Sequence, residues 1–445
     1  MRFLVFHGYM LRGTGSNIYN ANLARALARL GHEVHLLCQD RDTRIEGVEI
    51  HNPDIGGLLP VYVKDPYEGF EVKAFPELSE EELVRYIEAN VRAARAVAER
   101  AGGVDLALAN HLVMGPPILA RARVAPFAAK IHGSALEYTV KPNPRFLPYA
   151  EEGMEAAQGV LVGSRHTAES LWEALEGLPD LPAKTRLGPP GVDTEEFSPG
   201  GERSPRVVFV GKLIVSKGVD LLLAAWPLVR AKHPAARLEI AGFGEYEGAL
   251  RDLLAALERG DLDRARAIAA AGWGLEGGAE KPLPILSAFL ADPPAGYAEA
   301  ARAAAGSVEF IGRLEHDEVA RLLPGAEALV MPSTFPEAFG MVAAEAAACG
   351  TLPVSAGHSG MLEVSRQLAA ALPPDVGPLT SFPVEPGAVE AIAARLDGWL
   401  SLPEERREGA REALVETARR LWSWEGVARG VIAAARGELD RLPDA

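Results

Sequence analysis

A chain of 445 residues is longer than one hydrophobic core supports, so two domains are expected. Hydrophobic content of 48% and charged content of 24% are those of a globular protein in water, and no apolar run approaches membrane-spanning length. The net charge of −16 argues against a nucleic-acid partner and, more weakly, against standing attachment to anionic membranes.

The opening residues read as a first strand, 3–6, rather than a signal peptide. Residues 17–30 carry Ile18, Leu23, Leu27 and Leu30 at helical spacing; Gly31 stops that helix, and 34–37 is the next strand. This is a βαβ unit, which implies a parallel sheet. Its first loop, Arg12-Gly13-Thr14-Gly15-Ser16-Asn17, fails as a dinucleotide fingerprint because Ile18 stands where the third glycine belongs. Residues 52–82 are rich in proline, glycine and aromatics, among them Pro53, Pro60, Tyr62, Pro66, Tyr67, Phe70 and Pro76. They read as a long functional loop, an acceptor-side wall. A helix over 83–100 follows, then strands at 106–109, ending in Asn110-His111, and at 128–131, ending in His132-Gly133. Strand ends of a parallel sheet are where ligands sit, which singles out His132, although a lone histidine is more often structural. A strand at 160–164 and a helix at 166–175 complete this half. The Pro/Gly cluster from Pro189 to Gly201 reads as a linker.

The alternation restarts with a strand at 207–210 and an apolar helix at 219–229. Between them Lys212 and Lys217 can clamp a diphosphate and neutralise charge on it as it leaves, or else are simply solvated. A strand at 238–241 leads to Gly242-Phe243-Gly244. Residues 248–306 read as an Ala-rich helical insertion before the strand at 308–311. Inside it Asp261-Leu262-Asp263 spells a metal-type Asp-x-Asp, but its place after Gly260 suits helix capping. No metal ligands are assigned. Cys38 and Cys349, the two cysteines, are expected as buried thiols in a reducing cytoplasm.

The rest is organised around Pro336-Glu337-Ala338-Phe339-Gly340-Met341-Val342-Ala343-Ala344-Glu345. An apolar strand at 328–331 precedes it, and an alanine-rich helix starts near Gly340. The N–H groups from Phe339 to Val342 therefore form an anion-binding helix start. Two acids beside such a start suit a ligand with both hydroxyls and phosphates, a nucleotide sugar. On these residues alone, a loop acid and a helix acid in water fit equally well.

This stretch resembles the Glu-x7-Glu motif of the retaining glycosyltransferases of family four, the glycogen synthase and sucrose synthase group with the GT-B fold. Further matches in order are Gly31-His32-Glu33-Val34, His132-Gly133, Gly191-Val192-Asp193 with Phe197-Ser198-Pro199, and Gly242-Phe243-Gly244. After these come Ser359-Gly360-Met361-Leu362-Glu363 and Ser423-Trp424-Glu425. The resemblance implies that Glu337 lies by the donor hexose, that Glu345 holds the ribose hydroxyls, and that His132 reaches the sugar. It also implies that Gly15 matches the second glycine of a Gly-Gly loop near the donor phosphates, with Thr14 in place of the first. Lys217 stands at the family's lysine and Lys212 at its arginine. Ala338 replaces the usual glycine, which leaves the donor sugar open.

The expected architecture is α/β, with two Rossmann-like doubly wound domains facing across a cleft. Residues 1–198 would bind the acceptor and 199–418 the nucleotide sugar, with the insertion at 248–306; 419–445 would form a helix crossing back to the first domain. The expected reaction is metal-independent hexosyl transfer from a UDP-, GDP- or ADP-sugar to an acceptor hydroxyl with anomeric retention. The expected catalytic residues are Glu337, Lys217 and His132. The expected donor-binding residues are Gly15, Lys212, Lys217, Gly242, Gly244, Phe339, Gly340, Met341, Val342, Glu345 and Gly360. No cofactor beyond the donor substrate is expected. Expected partners are the nucleotide-sugar donor and a small-molecule, glycan or lipid-linked acceptor, with no nucleic acid and no integral membrane segment, on a cytoplasmic monomer or homodimer. A nucleotide-sugar hydrolase or epimerase of the same fold would differ by giving free sugar or an epimer without an acceptor. A binding-only or oxidoreductase Rossmann protein would need the full dinucleotide fingerprint.

Overall fold

The computed structural model describes residues 1–13, 15–63 and 67–445; Thr14 of the first loop and Pro66 of the aromatic segment lie outside the described residues. The chain divides into two compact units: Met1–Gly191 with Trp422–Ala445, and Val192–Leu421.

The first unit is built on the strands β1 (Arg2–Phe6), β2 (Glu33–Leu37) and β3 (Val48–His51), with β4 (Leu58–Val61) and β5 (Glu71–Ala74) set apart as a parallel pair. It continues with β6 (Leu106–Asn110), β7 (Phe127–Ile131), β8 (Gly159–Val162) and β9 (Thr185–Leu187). The main sheet has the order β3-β2-β1-β6-β7-β8-β9, all pairs parallel. Its central strands are apolar on both faces because both faces are covered. Alternate side chains divide accordingly. Leu4, Phe6, Ala107 and Ala109 pack under the helix Glu80–Arg100 through Leu83, Ile87 and Val91. Phe3, Val5, Leu106 and Leu108 pack under Leu23 and Leu27 of the helix Gly15–Arg29 and under Trp424, Ala428 and Val431 of the helix Trp424–Arg436. The fit of that last helix is close: a Cβ at Gly191 would lie 2.5 Å from the Trp424 ring.

The segment 52–82, expected as a loop, instead holds β4 and β5, and the helix after it begins at Glu80 rather than Leu83. The start is fixed by Ser79, whose side chain accepts from the Glu82 N–H while the Glu82 carboxylate accepts from the Ser79 N–H.

The second unit carries β10 (Arg206–Val210), β11 (Arg237–Ala241), β12 (Val308–Gly312), β13 (Ala328–Met331), β14 (Leu352–Ala356) and β15 (Ser381–Phe382). The order is β12-β11-β10-β13-β14-β15, again all parallel. Between β11 and β12 run the helices Glu247–Arg259, Leu262–Ala271, Pro284–Ala291 and Tyr297–Ala303. Asp261 caps the second of these by accepting from Arg264 N at 3.0 Å, and Asp263 pairs with Arg266 at 2.7 Å.

In each sheet the strand order reverses at one place, between β1 and β6 and between β10 and β13. Such switch points open a crevice beyond the carboxyl ends of the strands, where open α/β sheets bind ligands.

Candidate functional site

At the switch point of the second unit, the loop after β10 and the loop after β13 carry opposite charges. Lys217 Nζ donates to Glu337 Oε1, and Ser333 Oγ donates to the same oxygen at 2.9 Å. The Glu337 N–H in turn donates to Ser359 Oγ at 2.9 Å, while His358 bonds the Ser333 carbonyl through Nε2 at 2.8 Å and Ser359 Oγ through Nδ1 at 3.1 Å. The loops are locked together by backbone as well, since Thr334 N donates to Ser216 O at 2.8 Å. Lys217 and Glu337, expected on phosphate and sugar respectively, thus hold each other.

The helix Met341–Ala348 begins after Gly340, whose φ of 106° is open to glycine but strained for other residues. Ala343 N already donates to Gly340 O at 3.1 Å, so Met341 and Val342, both half-buried, are the donors outside the helix's own ladder. Phe339 is buried beneath this turn. Glu345, one turn into the helix, is 4% exposed and bonds His316 Nε2 at 2.9 Å. Burial lowers the His316 pKa, but the hydrogen bond to Glu345 and the charges of Glu345, Glu196 and Asp193 outweigh it, so the net shift is upward.

Two of the glycines expected at the donor site, Gly242 and Gly360, lie directly against backbone. A Cβ at Gly242 would lie 2.0 Å from Gly211 O, and one at Gly360 would lie 2.4 Å from Ala338 O. They bring the loops of β10, β11 and β13 and the start of the helix Ser359–Ala369 into contact. Gly244 sits in the same turn, whose Phe243 carbonyl accepts from Leu213 N at 2.8 Å. Lys212 Nζ lies 6.0 Å from the centre of the Phe243 ring, and the Arg313 guanidinium lies 5.0 Å from it.

The first unit's switch point is neutral. Asn110, at the end of β6, donates to Asn20 Oδ1 through Nδ2 at 2.7 Å and accepts from His132 Nε2 through Oδ1 at 2.8 Å. His7, just past β1, contacts Asn17 Oδ1 at 2.9 Å through Nε2 and Asn20 Nδ2 at 3.0 Å through Nδ1. His111 lies between them with its ring centre 4.9 Å from that of His132 and 4.7 Å from that of Tyr62. It is 2% exposed, has φ 67°, and among the described residues neither ring nitrogen has a hydrogen-bond partner. Burial is the largest cause holding His7 down to about 4 and His111 and His132 well below the ordinary range, so all three are neutral imidazoles at pH 7. Gly15 is the exposed first residue of the helix Gly15–Arg29.

Residues 13–196 match the family described as Glycosyltransferase Family 4, and residues 204–269 and 298–419 match those described as Glycosyl transferases group 1. The chain belongs to the family 4, group 1 glycosyltransferases. The glycosyltransferase is 27% identical over 448 residues to a D-inositol 3-phosphate glycosyltransferase of Geodermatophilus obscurus, covering 96% of this chain and 86% of that one. It is 25% identical over 460 residues to a glycogen synthase of Mycobacterium tuberculosis, covering 98% and 94%. In fold it resembles sucrose-phosphate synthase from Thermosynechococcus elongatus, with a TM-score of 0.65, 20% identity and coverage of 99% and 100%. It also resembles the catalytic domain of starch synthase IV from Arabidopsis thaliana bound to ADP and acarbose, with a TM-score of 0.63, 13% identity and coverage of 98% and 99%.

Several groups around these loops were not foreseen. His316 meets Glu345 from 29 positions earlier, a separation with no spacing rule behind it. Ser333 and His358, inconspicuous in the sequence, form the hydrogen-bonded frame of Glu337 together with Ser359 of the matched Ser359–Glu363 segment. Glu276, within the helical segment between β11 and β12, accepts from Val215 N at 2.7 Å, on the turn that bears Lys217. The segment therefore reaches the lysine loop of the glycosyltransferase. Among the described residues, no helix is long and apolar enough to cross a membrane.

Proposed function

We propose that this glycosyltransferase moves a hexosyl group from a nucleotide diphosphate sugar to an acceptor hydroxyl with retention of anomeric configuration and without a metal. The observation that carries the reading is the Lys217–Glu337 pair at the β10/β13 switch point, followed one helical turn into the next element by the buried Glu345. A cation that already faces the loop acid is placed to move to a diphosphate, and charge developing on the leaving oxygen would strengthen that contact in the transition state. In this reading the anomeric carbon–oxygen bond breaks with its electron pair passing to the diphosphate. The acceptor oxygen then bonds on the same face, and its proton passes to the departing phosphate oxygen. Glu337 serves the sugar, Glu345 the ribose and His132 sugar hydroxyls; Met341 and Val342 offer N–H donors to phosphate.

The relatives named above are transferases and synthases, which does not favour the hydrolase or epimerase alternative. Their names supply acceptor classes to try, an inositol phosphate and a growing glucan. Solved structures of similar fold hold ADP, UDP and UDP-glucose, and one relative is described as GDP-mannose-dependent. The deciding experiment is a thermal-shift screen with UDP-, GDP- and ADP-sugars. A ligand at a hundred times its Kd should stabilise by about 2.7 kcal/mol. The NMR coupling constant of the product anomer follows, in EDTA-treated protein. An inverted anomer, no response to any nucleotide sugar, or activity only with added metal overturns the reading.

A further inference from the structure

At the free edge of the first unit's sheet, four side chains of metal-ligand type share one face. The edge strand β3 pairs with β2 in the register His35↔Glu49 and Leu37↔His51. With a strand period of two, Glu33 and His35 of β2 and Glu49 and His51 of β3 therefore stand on the same side. His35 is 3% exposed and His51 is largely covered, whereas the Glu49 side chain is 65% exposed. The two imidazoles lie nearly parallel, ring centres 5.3 Å apart at 29°.

His35 Nδ1 is 3.1 Å from His51 Nε2 and 3.4 Å from Glu49 Oε2, and His51 Nε2 is 3.8 Å from Glu49 Oε1. A tetrahedral ion with bonds of about 2.0–2.1 Å separates its ligand atoms by roughly 3.3 Å. The His35–His51 and His35–Glu49 separations fall within a few tenths of an ångström of that edge; the Glu49 carboxylate meets the two imidazoles through different oxygens and, being exposed, can turn one oxygen toward both. The far nitrogen of the first imidazole is also accounted for: His35 Nε2 lies 3.2 Å from Glu33 Oε1. A carboxylate there holds the proton on Nε2 and leaves the Nδ1 lone pair for a metal, the carboxylate–histidine–metal arrangement that outer-sphere acids provide. The opposing charges are Arg100, whose field reaches His51, and Arg2, whose Nε lies 3.7 Å from Glu33 Oε2; the Glu49 carboxylate offsets Arg100 at His51.

We propose that His35, His51 and Glu49 form a binding site for a zinc-type divalent ion, with Glu33 orienting His35 and the fourth position open to water. Two imidazoles and one carboxylate suit zinc and its transition-metal neighbours rather than calcium or magnesium, which prefer all-oxygen sets. The ion would tie the edge strand β3 to β2. The site lies two strands out from β1, away from His7, His111 and His132, and has no part in the transfer proposed above.

The test is calorimetric titration of Zn²⁺ into chelator-treated, dialysed full-length protein, beside thermal melts and the visible spectrum with Co²⁺. The expected result is one ion per chain, a melting temperature raised by Zn²⁺ but not by Mg²⁺ or Ca²⁺, and tetrahedral cobalt bands. His51→Gln should abolish binding while melting like the parent in EDTA, and Glu33→Gln should weaken it roughly 10- to 100-fold. Absence of Zn²⁺ binding to the parent overturns the proposal, as does binding that survives both His51→Gln and His35→Gln. Because calorimetry and melting read the site without any sugar donor, failure here is separate from failure of the proposed transfer.

Discussion

At the β10/β13 switch point the facing groups are ionic, Lys217 against Glu337, and nearby His316, its pKa raised through its bond to Glu345, faces that second acid. At the β1/β6 switch point they are neutral: His7 and His132 are linked through Asn17, Asn20 and Asn110, and the His111 ring packs against both, with Tyr9 and Tyr62 alongside. The same doubly wound frame thus presents two chemistries. Paired charges can be re-partnered by an incoming diphosphate, which carries charge of its own. Neutral donors and acceptors beside aromatic faces match hydroxyl-rich ligands, whose binding gains little from a full charge. The difference suits the second unit to a charged ligand and the first to hydroxyl-bearing ones.

The contrast breaks most sharply at Lys217. Lys217→Ala should lower turnover on the order of 100- to 1,000-fold with a smaller loss of donor affinity. Steady-state kinetics beside nucleotide titration check this, and a variant turning over at the parent rate removes the ionic side of the comparison. Glu337→Gln should reduce kcat by at least about tenfold while nucleotide diphosphate affinity holds. Glu345→Gln, by contrast, should weaken nucleotide binding roughly 10- to 100-fold, the usual scale for a hydrogen bond to a charged group. Normal nucleotide affinity in that variant would detach Glu345 from the ribose.

Acid should separate the two units. The folded pKa of His7 falls from 6.5 to about 4, mainly by burial, so the unfolded chain binds the proton more readily. Its stabilising contribution is present above pH 6.5 and is lost as pH falls, approaching about 3 kcal/mol at pH 4. His111 and His132, lowered likewise, act in the same direction. The raised folded pKa of His316 has the opposite sign: its contribution is full below pH 6.5 and fades as pH rises through the folded value. Hydrogen exchange should show peptides of Met1–Gly191 losing protection between pH 6.5 and 4. His316→Gln should destabilise Val192–Leu421 more at pH 6 than at pH 8. The smallest effect is expected from Asp261→Asn with Asp263→Asn. Asn caps as well as Asp, so melting should shift by less than about 0.5 kcal/mol and transfer should persist in EDTA.

Much of the frame is legible because both sheets are covered on both faces, so their strands are continuous apolar runs such as Leu106–Asn110 and Ala328–Met331. The Glu337/Glu345 spacing was legible for a similar reason, since both lie on one local strand-to-helix passage. What escaped depends on contacts between distant loops. Lys217 and Glu337 are 120 positions apart and meet through the close backbone approach of two loops. Gly242 and Gly360 signal close approach in the sequence, but not that the approaching partner is another peptide. The strands β4 and β5 are four residues each in a proline-rich stretch, too short to outweigh its turn signals.

The last helix of the chain also fixes the order in which the molecule can be completed. Trp424, Ala428 and Val431 cover a sheet whose first strand is made some four hundred residues earlier. During synthesis the second unit has all its sequence in hand before the first does. The earliest part of the protein must therefore wait with Phe3, Val5 and Leu108 incompletely covered until the final stretch emerges. Loss of a few dozen terminal residues would leave the opposite end of the chain as the exposed, aggregation-prone party.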